Sequence, residues 1–186
     1  SGRDAIVDLD ALPLPSWDLV DLGRYRTYWR KRHGYSSLNV ATTRGCPYRC
    51  NWCAKPIHGR RYTSRSPENV VEEMKWLKSL ASPDQYWVAD DIFGLKPGWV
   101  ERFGLLAEAA GVGVPFTVQC RPDLMSGSFV EGLRRAGCLR VWMGAESGSQ
   151  KILDAMDKGT TIEQIRQARA RLGEAGIECA LFLQFG

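Results

Sequence analysis

The stretch LNVATTRGCPYRCNWC, residues 38–53, decides the interpretation of this chain. A β-rich segment, Leu38 to Thr43, runs into three cysteines spaced CxxxCxxC, namely Cys46, Cys50 and Cys53. Thiolates are soft ligands that suit iron–sulfur clusters or zinc. A ferredoxin-type cluster normally has four cysteine ligands, and no fourth cysteine lies nearby in this sequence. A [4Fe–4S] cluster held by these three would keep one iron open to a small molecule, which is typical of a catalytic cluster.

Two other interpretations of the three thiols stay open. Zinc favours four closed ligands in paired CxxC spacing, and His58 is the only plausible fourth ligand nearby. The chain could also be an iron–sulfur electron carrier that performs no chemistry on a bound small molecule. The CxxxCxxC spacing favours the catalytic cluster over both.

Length and composition indicate one globular domain. The chain has 186 residues, 44% hydrophobic and 25% charged, close to the averages for soluble proteins. No apolar run approaches the roughly 18 residues of a membrane span, and we predict no signal peptide. Six cysteines, three of them in one loop, favour a metal site in a reducing cytoplasm over a disulfide framework. We expect Cys120, Cys138 and Cys179 to be small buried hydrophobes.

The charge of the chain is too mild to imply a nucleic-acid partner by itself. Its 25 basic and 21 acidic residues give a net charge of +4. Residues 24–33 and 58–65 interleave basic and aromatic side chains. This pattern occurs in proteins that bind single strands, and equally in anionic substrate pockets or on solvated faces. Because no recognised binding motif accompanies it, we predict a small-molecule substrate and consider nucleic acid the weaker alternative.

After about residue 35, the sequence alternates strand and helix signals. Helices are predicted to start at Ser66 with Pro67 in the first turn, near Gly98, around Ser128, and at a capping-box pattern formed by Thr160 and Glu163. The predicted strands are Leu38–Thr43, Gln85–Ala89, Pro115–Gln119, Leu139–Met143 and Ile177–Leu183. The alternation predicts an α/β fold of βα units around a parallel sheet.

The sequence also predicts two segments. Residues 1–35 include two closely spaced prolines, which interrupt regular structure, and we expect them to be a linker. Residues 36–186 are the predicted core. Parallel sheets are covered on both faces and an open edge strand is unfavourable, so we expect the core to be truncated at the C-terminus, as a fragment of a longer protein.

Polar residues follow the predicted strands at their C-terminal ends, where βα barrels gather their chemistry. They are Asp90, Asp91, Gln119, Cys120, Arg121, Glu146, Ser147 and Gln184. Several also have a structural interpretation that stays open. Asp91 could cap a helix, Arg121 could pair with Asp123, and Glu146 could be an acid favoured at a helix N-terminus.

Residues 43–53, including the aromatic Trp52 directly before the last cysteine, resemble the radical S-adenosylmethionine (SAM) superfamily. The resemblance implies that Cys46, Cys50 and Cys53 ligate a [4Fe–4S] cluster whose open iron binds the amino and carboxylate groups of SAM. It implies reductive cleavage of SAM to a 5′-deoxyadenosyl radical. It also implies a partial (β/α) barrel resembling a TIM barrel, with about five βα units here of an expected six.

Residues 8–18, 88–93, 136–138 and 144–159 are similar to the subgroup of this superfamily that carries an N-terminal cobalamin-binding domain. This implies cobalamin-associated methylation or cyclisation of an unactivated substrate. Cobalamin would be bound mainly by a domain outside these 186 residues, and residues 1–35 would follow that domain. Two features depart from the pattern. The DxHxxG cobalamin signature is absent from the sequence, and Ala89-Asp90-Asp91 stands where a GGE sequence is common.

The same resemblance implies roles for individual residues at the strand ends. Trp52 would pack beside the SAM adenine, Glu146 would contact the ribose or amino end, and Arg121 would contact the carboxylate. Carboxylates suit hydroxyl and ammonium groups, and a guanidinium suits a carboxylate. The remaining predicted SAM contacts are Asp90, Asp91, Ser147 and Gln184.

No catalytic side chain can be named from the sequence, although Cys120 and Tyr62 are weak candidates for a proton or hydrogen donor. The resemblance implies a cytoplasmic enzyme that receives electrons from a reductant such as flavodoxin or ferredoxin. Within the superfamily, the alternative is a methylthiotransferase or tRNA-modifying enzyme whose basic clusters bind RNA.

Overall fold

A computed structural model of the chain describes residues 6–54 and 58–185. Within these ranges, five strands form one parallel sheet and two short strands form an antiparallel pair. The strands are Ser37–Val40 (β1), Thr43–Arg44 (β2), Thr63–Ser64 (β3), Gln85–Val88 (β4), Phe116–Cys120 (β5), Cys138–Glu146 (β6) and Glu178–Leu183 (β7). The α-helices are Leu22–His33 (α1), Pro67–Ala81 (α2), Trp99–Ala109 (α3), Gly127–Ala136 (α4), Gln150–Ala155 (α5) and Ile162–Glu174 (α6).

The large sheet has the spatial order β1–β4–β5–β6–β7, and every neighbouring pair is parallel. Parallel neighbours need a crossover connection, and helices α2, α3, α4 and α6 lie in the successive connections. The predicted α/β fold is therefore confirmed, and its architecture is consistent with a partial TIM-like barrel.

Helix starts illustrate how local chemistry sets these elements. The Ser66 side chain accepts a hydrogen bond from the Asn69 amide at 3.1 Å, with Pro67 as the first residue of α2, as predicted. The predicted start of α6 was wrong by one residue. The capping box joins Thr161 and Gln164, whereas Thr160 is buried and its hydroxyl has no partner among the described residues.

The core lies between the sheet and the helices that cover it. Strand residues alternate between the two faces of a sheet, so one set packs against the helices. This set includes Tyr86, Val88, Phe116, Val118, Val141 and Met143, which meet Met74, Leu77, Phe103, Leu133 and Leu172 from the helices. The opposite set, with Trp87, Gln119 and Trp142, lines the concave side. Cys120 and Cys138 are buried as expected, and Cys179 is half-buried.

The predicted first strand was wrong in one respect, because β1 ends at Val40, Thr43 belongs to β2, and Ala41 and Thr42 lie in neither strand. Thr42 and Thr43 leave the large sheet because their backbone N–H groups and the Thr42 hydroxyl donate to the Asp90 carboxylate. Thr43 then pairs with Ser64. This departure directs the chain into the cysteine loop.

The N-terminal residues contain a helix that the sequence analysis did not predict. Helix α1 buries none of its residues, so it lacks the apolar stripe that reveals a packed helix. Before it, Leu9 is buried, Asp10 accepts a hydrogen bond from the Ser66 amide at 2.9 Å, and Trp17 Nε1 donates to Glu73 at 3.4 Å. This part of the predicted linker therefore packs against α2 and the hydrophobic core.

Within residues 6–54 and 58–185, none of the helices combines the length and the apolar character that crossing a bilayer requires.

Candidate functional site

A cavity of about 670 Å³ lies at the C-terminal ends of the parallel strands. The structure brings most of the predicted site residues together there. Cys46, Cys50, Trp52, Cys53, Asp90, Asp91, Arg121, Glu146 and Gln184 all line it. Ser147 is not among the lining residues, and its hydroxyl accepts a hydrogen bond from the Ser149 amide at 3.1 Å.

The cysteine loop is anchored on two sides. The Cys46 amide donates to the Gly59 carbonyl at 3.2 Å. Asn51 donates its amide to Met156 O at 3.1 Å and its side chain to Ala155 O at 2.7 Å. The loop is therefore held both by the chain that returns toward β3 and by the end of α5.

Gly45 permits the turn that starts this loop. Its φ is +80°, a conformation that L side chains rarely adopt. A Cβ atom there would overlap the carbonyl oxygen of Arg61. Only glycine allows the two backbone segments to approach this closely, which places Cys46 at the rim of the cavity.

The donor set of the loop fits a cluster with one open iron. Three thiols of one loop line the cavity, with Cys46 and Cys50 partly buried and Cys53 exposed. In the described ranges, no three His, Cys, Asp or Glu side chains converge closely enough to hold a single metal ion. A cubane makes a different demand, because each thiolate binds its own iron. His58, the alternative fourth ligand, is exposed.

Arg121 is a buried cation beside the loop. Its Nη1 lies 3.8 Å from Cys50 Sγ, and its Cζ lies 3.7 Å from the centroid of the Tyr48 ring. Nε donates to Asp123 Oδ1 at 2.9 Å, so the ion pair that the sequence left open as an alternative is present. Nη2 donates to the Lys158 carbonyl at 2.8 Å.

Glu146 ends β6 and forms a buried ion pair with Lys158, whose Nζ lies 2.9 Å from Glu146 Oε1. The same Nζ lies 5.5 Å from the centroid of the Trp52 ring. Glu146 has a φ of +60°, a conformation uncommon for a residue with a long side chain. The site thus contains a cation, Lys158, that the sequence analysis missed. Lys158 lies within residues 144–159, which resemble the cobalamin-associated subgroup, but the sequence analysis assigned it no role.

Asp90 is buried at the junction of β4 with the cavity. Its carboxylate accepts hydrogen bonds from the Thr42 amide at 2.7 Å, the Thr43 amide at 3.0 Å and the Thr42 hydroxyl. Burial raises the pKa of Asp90 to about 6, and these hydrogen bonds offset only part of that effect. The neighbouring Asp91 is exposed.

Two further predicted residues are exposed at the rim. Trp52 is 42% exposed, and Gln184 donates its backbone amide to the Glu146 carbonyl at 2.9 Å. The weak candidates for a donor differ in position. Cys120 lines the cavity, and burial raises the pKa of its thiol to about 12. Tyr62 is not among the lining residues, and burial raises its pKa to about 12.

An aromatic wall completes the cavity and was not predicted. Trp142 and Phe182 stack with ring centroids 5.1 Å apart, and Trp87 lies on the same concave face. The signal in the sequence is weak, because an alternating strand shows which residues share a face but not which face is inside. The wall makes much of the cavity apolar.

Comparison with known proteins identifies the family of this chain. The Radical SAM superfamily profile matches residues 40–183. An uncharacterized methyltransferase of Pyrococcus horikoshii is 29% identical over 163 residues, which covers 87% of this chain and 34% of the relative. An anaerobic magnesium-protoporphyrin IX monomethyl ester cyclase of Synechocystis sp. is 26% identical over 165 residues, which covers 88% of this chain and 32% of the relative.

The fold is also found in a solved structure of the radical SAM methyltransferase TsrM from Kitasatospora setae, with bound tryptophan and a SAM analogue. Its TM-score is 0.75 at 24% identity, over 87% of this chain and 32% of that one. Another structure of TsrM holds cobalamin and a [4Fe–4S] cluster. This chain spans about a third of the length of these relatives. From its profile match and its cysteine loop, the chain belongs to the radical SAM superfamily, whose members use a [4Fe–4S] cluster and SAM.

Proposed function

We propose that this chain is the catalytic core of a radical SAM enzyme, with Cys46, Cys50 and Cys53 as the cluster ligands. The observation that carries the proposal is the position of these three thiols on one loop at the rim of the strand-end cavity. Bound there, the cluster supplies the electron for reductive cleavage of SAM to a 5′-deoxyadenosyl radical. The protein supplies the ligands, the charges and a cavity that limits access of water.

The charges of the cavity suit SAM. Glu146 and Lys158 present a carboxylate and an ammonium side by side, and SAM carries an ammonium, a carboxylate and ribose hydroxyls. We propose that this pair receives the polar end of SAM, with Trp52 near the adenine. Roles in SAM binding for Asp90, Asp91, Arg121, Ser147 and Gln184 stay predictions.

The reaction that we propose is cobalamin-associated methylation or cyclisation of an unactivated small molecule. It is supported by the similarity to a methyltransferase and a porphyrin-ring cyclase, and by the fold shared with TsrM. Cobalamin would be held mainly by a part of the protein outside these 186 residues. We further propose a cytoplasmic location and a reductant such as flavodoxin or ferredoxin, because the cluster has to be reduced before each cleavage.

The decisive experiment is anaerobic reconstitution of the protein with iron and sulfide, followed by electron paramagnetic resonance of the reduced cluster with and without SAM. We expect a [4Fe–4S] signal that SAM changes, and release of 5′-deoxyadenosine. Cys46→Ala, Cys50→Ala and Cys53→Ala should each lower cluster content. Cys179→Ala is the matched control, since Cys179 is half-buried and does not line the cavity.

Other outcomes would contradict the proposal. A colourless protein that holds zinc without sulfide would indicate a structural metal site. A cluster whose signal ignores SAM would indicate an electron carrier. A methylthiotransferase or tRNA-modifying enzyme would instead bind RNA with an affinity that falls steeply as salt rises, and titration of RNA at two salt concentrations separates it from the small-molecule enzyme.

A further inference from the structure

Arg121 connects three separate segments of the chain at the cluster loop. It follows β5 directly, and its side chain is 7% exposed. Its guanidinium contacts Tyr48 and Cys50 in the cysteine loop, Asp123 in the turn after β5, and the backbone of Lys158 after α5. A side chain in this position holds the loop against the end of β5 and the segment after α5.

The hydrogen-bond donors of this guanidinium are largely used by protein groups. Nε and Nη2 both bind the Asp123 carboxylate, at 2.9 and 3.4 Å, and Nη2 also binds the Lys158 carbonyl. The Tyr48 ring covers one face at 3.7 Å. Nη1 is the nitrogen directed to Cys50, 3.8 Å from Sγ. Nη1 therefore donates to a thiol sulfur that is a predicted cluster ligand.

A positive donor at a ligand sulfur has a defined electrostatic consequence. Reduction adds a negative charge to a cluster, and hydrogen bonds to its sulfurs are among the factors that set its reduction potential. A guanidinium at Cys50 stabilises the more negative, reduced state. Asp123 opposes this, because its carboxylate neutralises part of the same guanidinium charge.

We propose that Arg121 is a positioning residue that acts on the cluster through Cys50 and raises its reduction potential, with Asp123 moderating the effect. This inference rests on the proposed function, because it requires Cys50 to ligate the cluster. It assigns to Arg121 a role separate from contact with SAM, and it predicts opposite shifts for the two members of one ion pair.

The test is potentiometric titration of the reconstituted cluster in the full-length protein, together with its iron and sulfide content. In Arg121→Gln we expect a roughly tenfold shift of the redox equilibrium toward the oxidised cluster, which corresponds to a potential about 59 mV lower for one electron. Arg121→Lys keeps the charge but loses the fork of donors, so its shift should be smaller. Asp123→Asn should shift the potential in the opposite direction.

The matched control is Arg102→Gln. Arg102 also pairs with a carboxylate, that of Glu68, but the pair is exposed and lies outside the cavity lining. We expect its cluster content and potential to equal those of the unaltered protein. A purely structural role of Arg121 would lower cluster content without giving opposite potential shifts at positions 121 and 123.

Two results would overturn the inference. One is that the reduction potentials of Arg121→Gln and Asp123→Asn are both unchanged, or that both shift in the same direction. The other is loss of the cluster in every Arg121 variant, combined with an unshifted potential in Asp123→Asn. If the unaltered protein shows a SAM-sensitive cluster, these results refute only the role of Arg121. If the unaltered protein binds no cluster, the proposed function fails as well.

Discussion

Lys158 and Glu146 form an ion pair of 2.9 Å in which the two side chains are only 6% and 4% exposed. They lie 12 residues apart in the sequence, on the two sides of helix α5. A buried charge is tolerated when a partner compensates it, and removal of one partner leaves the other uncompensated. The pair therefore ties the end of β6 to the segment after α5 at the cavity.

We predict that Lys158→Met destabilises the protein by about 3–5 kcal/mol, because Glu146 then stays buried without its cation. The double variant with Glu146→Gln should recover much of this loss. Urea unfolding of the cluster-free protein measures both. Arg140→Met is the control, since its pair with Glu178 is exposed and should contribute at most about 1 kcal/mol. Equal losses at Lys158 and Arg140 would contradict the prediction.

The buried carboxyl of Asp90 makes stability depend on pH. Its pKa is raised from 3.8 to about 6 by burial, so the folded protein binds more protons than the unfolded chain between these values. This contribution to stability is fully present below the unfolded pKa and is lost as pH rises through about 6. We expect a loss of at most about 3 kcal/mol, from about 1.4 kcal/mol per pKa unit.

Asp90→Asn removes this titration. Its free energy of unfolding, relative to that of the unaltered protein, should rise as the pH increases from 4 to 6.5. Thr42→Val removes a hydrogen-bond donor to the Asp90 carboxylate. The free energy of unfolding of this variant should therefore fall more steeply with rising pH than that of the unaltered protein. The prediction would be refuted if the difference in free energy of unfolding between Asp90→Asn and the unaltered protein stayed constant across this pH range.

Gly45→Ala should disrupt the cysteine loop. The variant combines a positive φ with a Cβ atom that overlaps the backbone of Arg61. Gly34→Ala is the control, because Gly34 has a φ of +83° with open space around its Cβ position, and strain alone costs about 1–2 kcal/mol. We expect a larger loss of stability for Gly45→Ala, and lower cluster content after reconstitution only for this variant. Equal effects of the two variants would argue against the close approach.

The helix cap of α6 distinguishes two adjacent threonines. Thr161→Ala removes the capping side chain and should cost about 1 kcal/mol. Thr160→Val replaces a buried hydroxyl without a partner in the described part of the chain and should not lower stability, because burial of an unpaired hydroxyl is itself unfavourable. Thermal unfolding of the two variants shows which threonine caps α6. A larger loss of stability for Thr160→Val than for Thr161→Ala would favour the Thr160 cap expected from the sequence.

Local patterns in the sequence were sufficient to predict the superfamily and the fold class of this protein. The spacing of Cys46, Cys50 and Cys53 identified the superfamily, because the three ligands lie within eight residues and need no tertiary information. The alternation of strand and helix signals predicted the parallel sheet for a similar reason, since each βα unit is encoded by its own residues. Strand ends then indicated which polar residues gather at one rim.

Only the tertiary structure decided how those residues are used. Arg121 meets Cys50 across 71 positions, and Asp90 meets Thr42 across 48. Sequence spacing carries no information about contacts at such separations, because they depend on which strands are neighbours and on where each loop returns. The tertiary structure also decides which threonine caps α6. Both Thr160 and Thr161 fit the capping pattern, but Thr160 is buried and Thr161 forms the cap.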